Sequence, residues 1–128
     1  MTASTRILLV DDHPLVREGL RARLAQTPGL EVVGEAGDGE QAFARVSMLR
    51  PDLVLIDVGM KQVSGIELTG RLRAQYPELR VLMLSMYDNP EHVHRALAAG
   101  AMGYVLKEGP AEEIVDAILA VTAGRAFV

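Results

Sequence analysis

Five short apolar runs punctuate this sequence, and a segment with helical spacing follows each of them. The runs are Ile7–Val10, Leu30–Val33, Leu53–Ile56, Val81–Leu84 and Tyr104–Leu106, rich in leucine or β-branched residues. Each is nearly continuous rather than alternating, the pattern of a strand covered on both faces. In the intervening segments Val16, Leu20 and Leu24 share one helical face, as do Ala42, Val46 and Leu49. Ile66, Thr69, Leu72 and Tyr76 form a third stripe, Val93, Ala96 and Leu97 a fourth, and Ile114, Val115, Ile118 and Val121 a fifth.

Boundary signals agree with this division. Pro14, Pro90 and Pro110 stand where a first helical residue is expected. Ser64 followed by Glu67 reads as a capping box, and Asn89 as a cap before Pro90. Gly29, Gly100 and Gly103 fall near helix ends or in the turns that follow, where a positive φ is often required.

Strict alternation of strand and helix predicts an α/β fold with a parallel sheet, because parallel neighbours need crossover connections. With five strands and five helices, the expected topology is the flavodoxin-like doubly wound order 2-1-3-4-5. A length of 128 residues suits one domain, 1–128, and the sequence shows no internal repeat or linker. About half of the chain is apolar (49%), enough to bury a core without staples.

Composition also excludes chemistries. The sequence has no cysteine, which removes disulfides, zinc–thiolate centres and cysteine nucleophiles, and suits a reducing compartment. A formal charge of −4 is a poor basis for gripping nucleic acid. Arg17, Arg21 and Arg23, and likewise Arg71 and Arg73, read as solvated helix faces. No apolar run approaches the ~18 residues of a membrane span. The polar start, Met1 to Arg6, lacks the apolar core of a signal peptide, so the expectation is a soluble cytoplasmic protein with no membrane partner.

In a doubly wound sheet, ligands bind outside the carboxyl ends of the strands. Asp11 and Asp12 follow the first apolar run, Asp57 the third, Ser85 the fourth and Lys107 the fifth, while the second offers only Glu35. An Asp at a strand end is commonly a cap, and a lone Ser or Lys there is commonly a surface residue. The joint placement at one edge is what carries information. Three carboxylates gathered together would repel one another unless protonated or neutralised by a cation. A hard divalent ion with oxygen ligands meets that need, and Mg²⁺ typically takes one or two carboxylates. Carboxylates, a divalent cation, a lysine and a hydroxyl together describe a site for a phosphoryl group, with one carboxylate able to become an acyl phosphate.

The strings Ile7-Leu-Leu-Val-Asp11-Asp12-His13, Asp52-Leu-Val-Leu-Ile-Asp57, Val81-Leu-Met-Leu-Ser85 and Gly103-Tyr-Val-Leu-Lys107 resemble the receiver domains of two-component response regulators. The resemblance covers essentially the whole chain and implies a CheY-like form of the expected fold. Asp12-His13-Pro14, Val33-Gly34-Glu35-Ala36, Ser85-Met86-Tyr87-Asp88 and the ending Ala123-Gly124-Arg125 are similar to the NarL/LuxR-type subfamily. The resemblance implies that Asp57 accepts a phosphoryl group from a sensor histidine kinase. It implies that Asp11, Asp12, Asp57 and the backbone carbonyl of Gly59 hold Mg²⁺ or Mn²⁺. Ser85 would bond a phosphoryl oxygen, Lys107 would pair with phosphorylated Asp57, and Ser85 and Tyr104 would form the switch. Homodimerisation on phosphorylation is expected, with DNA reached only through a C-terminal helix-turn-helix domain beyond Val128.

Two departures from the family pattern stand out. Met60-Lys61-Gln62-Val63-Ser64-Gly65 replaces the common Met-Pro-x-Met-Asp-Gly, so Lys61 stands where a proline stiffens the loop, while Ser64 is simply another N-cap. Glu108 rather than proline follows Lys107, which removes an easy route to a cis peptide bond. His13 is expected to flank the site, with His92 and His94 on different faces of a helix as structural or surface residues.

Other functions remain in competition at this level. A small Mg²⁺-dependent phosphatase shares the aspartate chemistry, but 128 residues leave no cap or lid over a substrate. A flavin-binding module needs Gly, Ser and Thr after the first strand, where this chain has Asp-Asp-His-Pro. A degenerate receiver would keep the fold and lose the phosphorylation, with Lys61 the residue that favours it.

Overall fold

The computed structural model describes residues 4–60, 64–86, 89–107 and 109–127. Strands β1 (Thr5–Val10), β2 (Leu30–Ala36), β3 (Leu53–Asp57), β4 (Arg80–Ser85) and β5 (Gly103–Leu106) alternate with five helices. These are α1 (Pro14–Ala25), α2 (Gly39–Leu49), α3 (Gly65–Gln75), α4 (Pro90–Ala99) and α5 (Ala111–Thr122). The strands form one parallel sheet in the order β2-β1-β3-β4-β5, as the alternation requires.

Because side chains alternate across a strand, each inner run supplies two cores at once. Leu8, Val10, Val54, Ile56, Val81, Met83 and Tyr104 pack on the face covered by α2, α3 and α4, with Val46, Leu72 and Ala96. Ile7, Leu9, Leu53, Leu55, Leu82, Leu84 and Val105 pack on the other, with Leu24 of α1 and Ile114, Ile118 and Val121 of α5. A continuous apolar strand is therefore one whose two faces both end in helices, which is why these runs do not alternate in polarity.

Pairing carries the inner strands one residue past their apolar runs. Asp57 lies opposite Leu84, and Ser85 opposite Leu106, so the sheet itself holds both side chains at its carboxyl edge. β2 runs on to Ala36 through a register shift opposite Ile7 and Leu8 of β1.

Most end signals act as expected. Pro14 and Pro90 open α1 and α4. Ser64 Oγ accepts from the Glu67 N–H at 3.1 Å, and Asn89 Oδ1 from that of Glu91 at 2.9 Å. Gly29 and Gly100 have positive φ, 87° and 114°.

Three expectations need correction. Pro110 is the N-cap of α5, with extended ψ of 140°, rather than its first residue. Gly103 begins β5 and serves close approach instead of a left-handed turn: a Cβ would meet Leu82 Cδ1 at 2.6 Å and the Phe127 carbonyl oxygen at 2.8 Å. Leu97 points outward, 37% exposed, leaving Val93 and Ala96 to face the core. Beyond α5 the chain returns to the sheet, where Phe127 accepts from the Tyr104 N–H (2.9 Å) and donates to Met102 O (3.1 Å). Lys61 and Glu108, the two departures from the family pattern, lie outside the described residues, as do Tyr87, Asp88 and Val128. Among the described residues no helix is long and apolar enough to cross a membrane.

Candidate functional site

The carboxyl edge of the sheet gathers the residues singled out by sequence. Asp11 follows β1 and is 2% exposed; its N–H donates to Ala36 O at 3.0 Å, which extends the β1–β2 ladder. Asp57, the last residue of β3, is 4% exposed. Lys107 follows β5, and its N–H donates to Ser85 O at 2.8 Å, continuing the ladder with β4. Its Nζ lies 3.0 Å from Asp11 Oδ2 and 3.0 Å from Asp57 Oδ2, so one ammonium bridges carboxylates from two different strands.

The free carboxylate oxygens are held by backbone. Asp57 Oδ1 accepts from the Gly59 N–H at 3.1 Å, and Asp11 Oδ1 from the His13 N–H at 2.8 Å. The link from β3 to α3 is tight: Val58 N–H donates to Leu84 O at 2.9 Å, and Gly65 N–H to Val58 O at 3.0 Å. Thr69, fully buried, donates its hydroxyl proton to Gly65 O at 2.7 Å and pins the first turn of α3. Ser85 is buried at the end of β4, and Tyr104 is buried within β5 among the core residues of the α2–α3–α4 face.

The electrostatics follow from this geometry. Burial, the largest single influence on Lys107, works to lower its pKa. Hydrogen bonds to Asp11 and Asp57, with their attraction, outweigh it and hold the ammonium above its ordinary range. Asp11, Asp12 and Asp57 offer oxygens within 4.8 Å of one another, together with His13 Nδ1. Among the described residues, three carboxylates gather around the Lys107 ammonium and the His13 imidazole, so acidic groups outnumber the basic ones and the cluster has a deficit of positive charge. That deficit and the carboxylate donors fit a hard divalent cation.

Some residues do more than the sequence suggested. His13 flanks the site with its side chain 57% exposed and also contacts it: Nδ1 sits 3.1 Å from Asp11 Oδ1 and 3.0 Å from Asp12 Oδ1. Arg17 is not on a solvated face, since its guanidinium donates to the Asp11 carbonyl and, at 3.0 Å, to Glu35 Oε1. Arg71 lies over the Phe43 ring at 5.0 Å, and Arg73 donates to Leu79 O at 2.9 Å. Sequence reasoning does not place Arg17, Gly65 or Thr69 beside the site, and it gives Glu35 no role there. For Gly65 a local signal existed, because glycine is a poor choice inside a helix unless something approaches closely.

A doubly wound sheet with a lysine bridging two acidic strand ends defines a receiver-type domain. Residues 7–119 match the family of the response regulator receiver domain, and the chain belongs to that family, in its NarL/LuxR-type branch. It is 41% identical over 123 residues to the transcriptional regulatory protein DegU of Brevibacillus brevis, covering 96% of this chain and 52% of that protein. The chain spans about half the length of the curated relatives it matches, 52% to 57%. The crystal structure of a LuxR-family two-component response regulator from Aurantimonas sp. SI85-9A1 is 39% identical, with a TM-score of 0.95 over 98% of this chain and 90% of that one. The signal receiver domain of the putative response regulator NarL from Mycobacterium tuberculosis is 37% identical, with a TM-score of 0.90 over 97% of this chain and 100% of that one.

Proposed function

We propose that this chain is the phosphorylation-controlled switch of a two-component transcription regulator, with Asp57 as phosphoacceptor. The observation that carries this reading is the Lys107 ammonium, 3.0 Å from both Asp57 Oδ2 and Asp11 Oδ2 at the mouth of the sheet. A phosphoryl group on Asp57 would arrive beside a fixed positive charge, with the Ser85 hydroxyl on the neighbouring strand end to bond one of its oxygens.

In the proposed step a carboxylate oxygen of Asp57 attacks the phosphorus of a phosphohistidine on a sensor histidine kinase. The new P–O bond makes an acyl phosphate, the P–N bond breaks, and the departing imidazole nitrogen takes a proton from water. Asp11, Asp12, Asp57 and the Gly59 carbonyl would hold Mg²⁺ or Mn²⁺, which when bound neutralises charge on the phosphoryl oxygens. The chain accepts and loses its own phosphoryl group and turns over no free substrate.

Ser85 and Tyr104 would carry the change to the surface formed by α4, β5 and α5. A differential of a few kcal/mol between two states is enough to shift such a surface toward homodimerisation. DegU is named a transcriptional regulatory protein and is about twice as long as the aligned region. A regulator of that length has room for a further domain; in this reading DNA is reached through a C-terminal helix-turn-helix domain, in a cytoplasmic setting.

Intact mass after incubation with a small-molecule phosphodonor and Mg²⁺ tests the reading. The wild type should gain one phosphoryl group, lost on adding chelator, and Asp57→Asn should gain none. A folded wild type that stays unmodified would overturn it.

A further inference from the structure

Resting on the proposed cation role of Asp11 and Asp12, we infer that Arg17 is a positioning residue for that site, locked in place by Glu35. Arg17 lies in the first turns of α1, with a side chain only 19% exposed. Its Nη1 donates to the backbone carbonyl of Asp11, the oxygen of the peptide that joins Asp11 to Asp12. On the other side of that residue, the Asp11 N–H is held by Ala36 O at 3.0 Å. The orientation of the Asp11–Asp12 peptide is thus set by a strand on one side and a guanidinium on the other. That plane decides where Asp12 projects relative to Asp11 and Asp57.

Glu35 makes the arrangement compatible with a cation. A bare guanidinium beside the site would repel a divalent ion, since like charges at short range cost free energy. Glu35 Oε1 accepts from Arg17 Nε at 3.0 Å and offsets that charge. Glu35 is itself fixed, because Oε2 accepts from Arg21 Nε at 2.7 Å and pairs with Arg21 Nη2 at 2.5 Å. The Arg21 side chain is 48% exposed, so water screens its charge. Arg17 therefore supplies a directed hydrogen bond while Glu35 offsets part of its charge, as partners behind metal ligands commonly do.

The test is a Mg²⁺ titration of the unphosphorylated chain, followed by amide NMR shifts, for wild type, Arg17→Ala, Arg17→Lys and Glu35→Gln. Denaturant stability of each is measured in chelator. Arg17→Ala should bind Mg²⁺ roughly tenfold more weakly, the scale typical of such supporting partners. Arg17→Lys should recover part of that loss, since an ammonium can also donate to the Asp11 carbonyl. Glu35→Gln should weaken binding as well, by freeing the guanidinium charge. Wild-type affinity in Arg17→Ala, whatever its stability, would overturn the inference. Should Arg17→Ala not fold, wild-type affinity in Glu35→Gln would overturn the locked pair. A wild type that binds no Mg²⁺ would instead overturn the cation role of Asp11 and Asp12 themselves.

Discussion

Gly65 sits directly against the backbone carbonyl of Asp57: a Cβ at Gly65 would overlap that oxygen and stand 2.9 Å from the carbonyl carbon. Helix α3 can begin where it does, turned back over β3, because this residue has no side chain. Ile56 Cγ2 would also lie 2.9 Å from that Cβ, so the crowding is not relieved by moving one neighbour alone. Gly65→Ala should cost about 2 kcal/mol, in the range of overpacked cores. It should also slow phosphoryl transfer to Asp57, because the residue that must move is the acceptor itself. A denaturant midpoint with an intact-mass time course checks both; a wild-type midpoint would contradict the close packing.

Removing Lys107 leaves two buried carboxylates without their shared cation. Lys107→Met should cost about 3 kcal/mol in chelator, the scale of breaking a buried pair from one side. The loss should shrink in Mg²⁺, if the cluster holds a cation. The sign of the pH dependence follows from the raised pKa of Lys107. Its contribution is complete below the ordinary value of 10.5 and disappears only as pH rises through the higher folded value. The stability gap between wild type and Lys107→Met should therefore stay constant from neutral to moderately alkaline pH and close beyond it. Denaturant melts in chelator across that range would reveal a gap that closed early.

Gly103 is where the C-terminal segment meets the sheet. A Cβ there would press on Leu82 Cδ1 and on the Phe127 carbonyl, so Gly103→Val should dislodge Phe127 and free the Tyr104 N–H it accepts from. Hydrogen exchange at the Tyr104 amide should accelerate, with a stability loss of about 1 to 3 kcal/mol. Unchanged protection at Tyr104 would show that the segment does not depend on the glycine.

Ser64 departs from the aspartate common in the family and still caps α3, through the Glu67 N–H at 3.1 Å. Ser64→Ala should cost about 1 kcal/mol, and Ser64→Asp should be nearly neutral, because either oxygen satisfies the same orphan donor. Thermal melts of the two variants distinguish a cap from a bystander: equal losses would count against capping.

Much of the fold was legible in the residues because its signals are short-ranged. Continuous apolar runs marked β1, β3 and β4, and the prolines at 14 and 90 marked helix starts within a single position. Pro110 lies one residue outside α5 rather than inside it, since a fixed φ suits the cap as well as the first turn. Leu97 escapes the core, and spacing alone does not say how wide the covered stripe is. The constraint on Gly103 is invisible locally, because Leu82 and Phe127, which crowd it, are distant in sequence.

The candidate site divides along the same line. That acidic residues, a serine and a lysine stand at the carboxyl ends of adjacent strands is readable from the residues alone, because alternation dictates a parallel sheet and the runs end where those residues begin. The bridge from Lys107 to both Asp11, 96 residues distant, and Asp57 exists only in the folded chain. Folding likewise takes Arg17 from what reads as a solvated helix face to the carbonyl of Asp11, paired with Glu35 of β2. Local propensity acts over a turn of chain, whereas such contacts depend on strand order and register, which bring distant residues within hydrogen-bonding reach only once the whole sheet has formed.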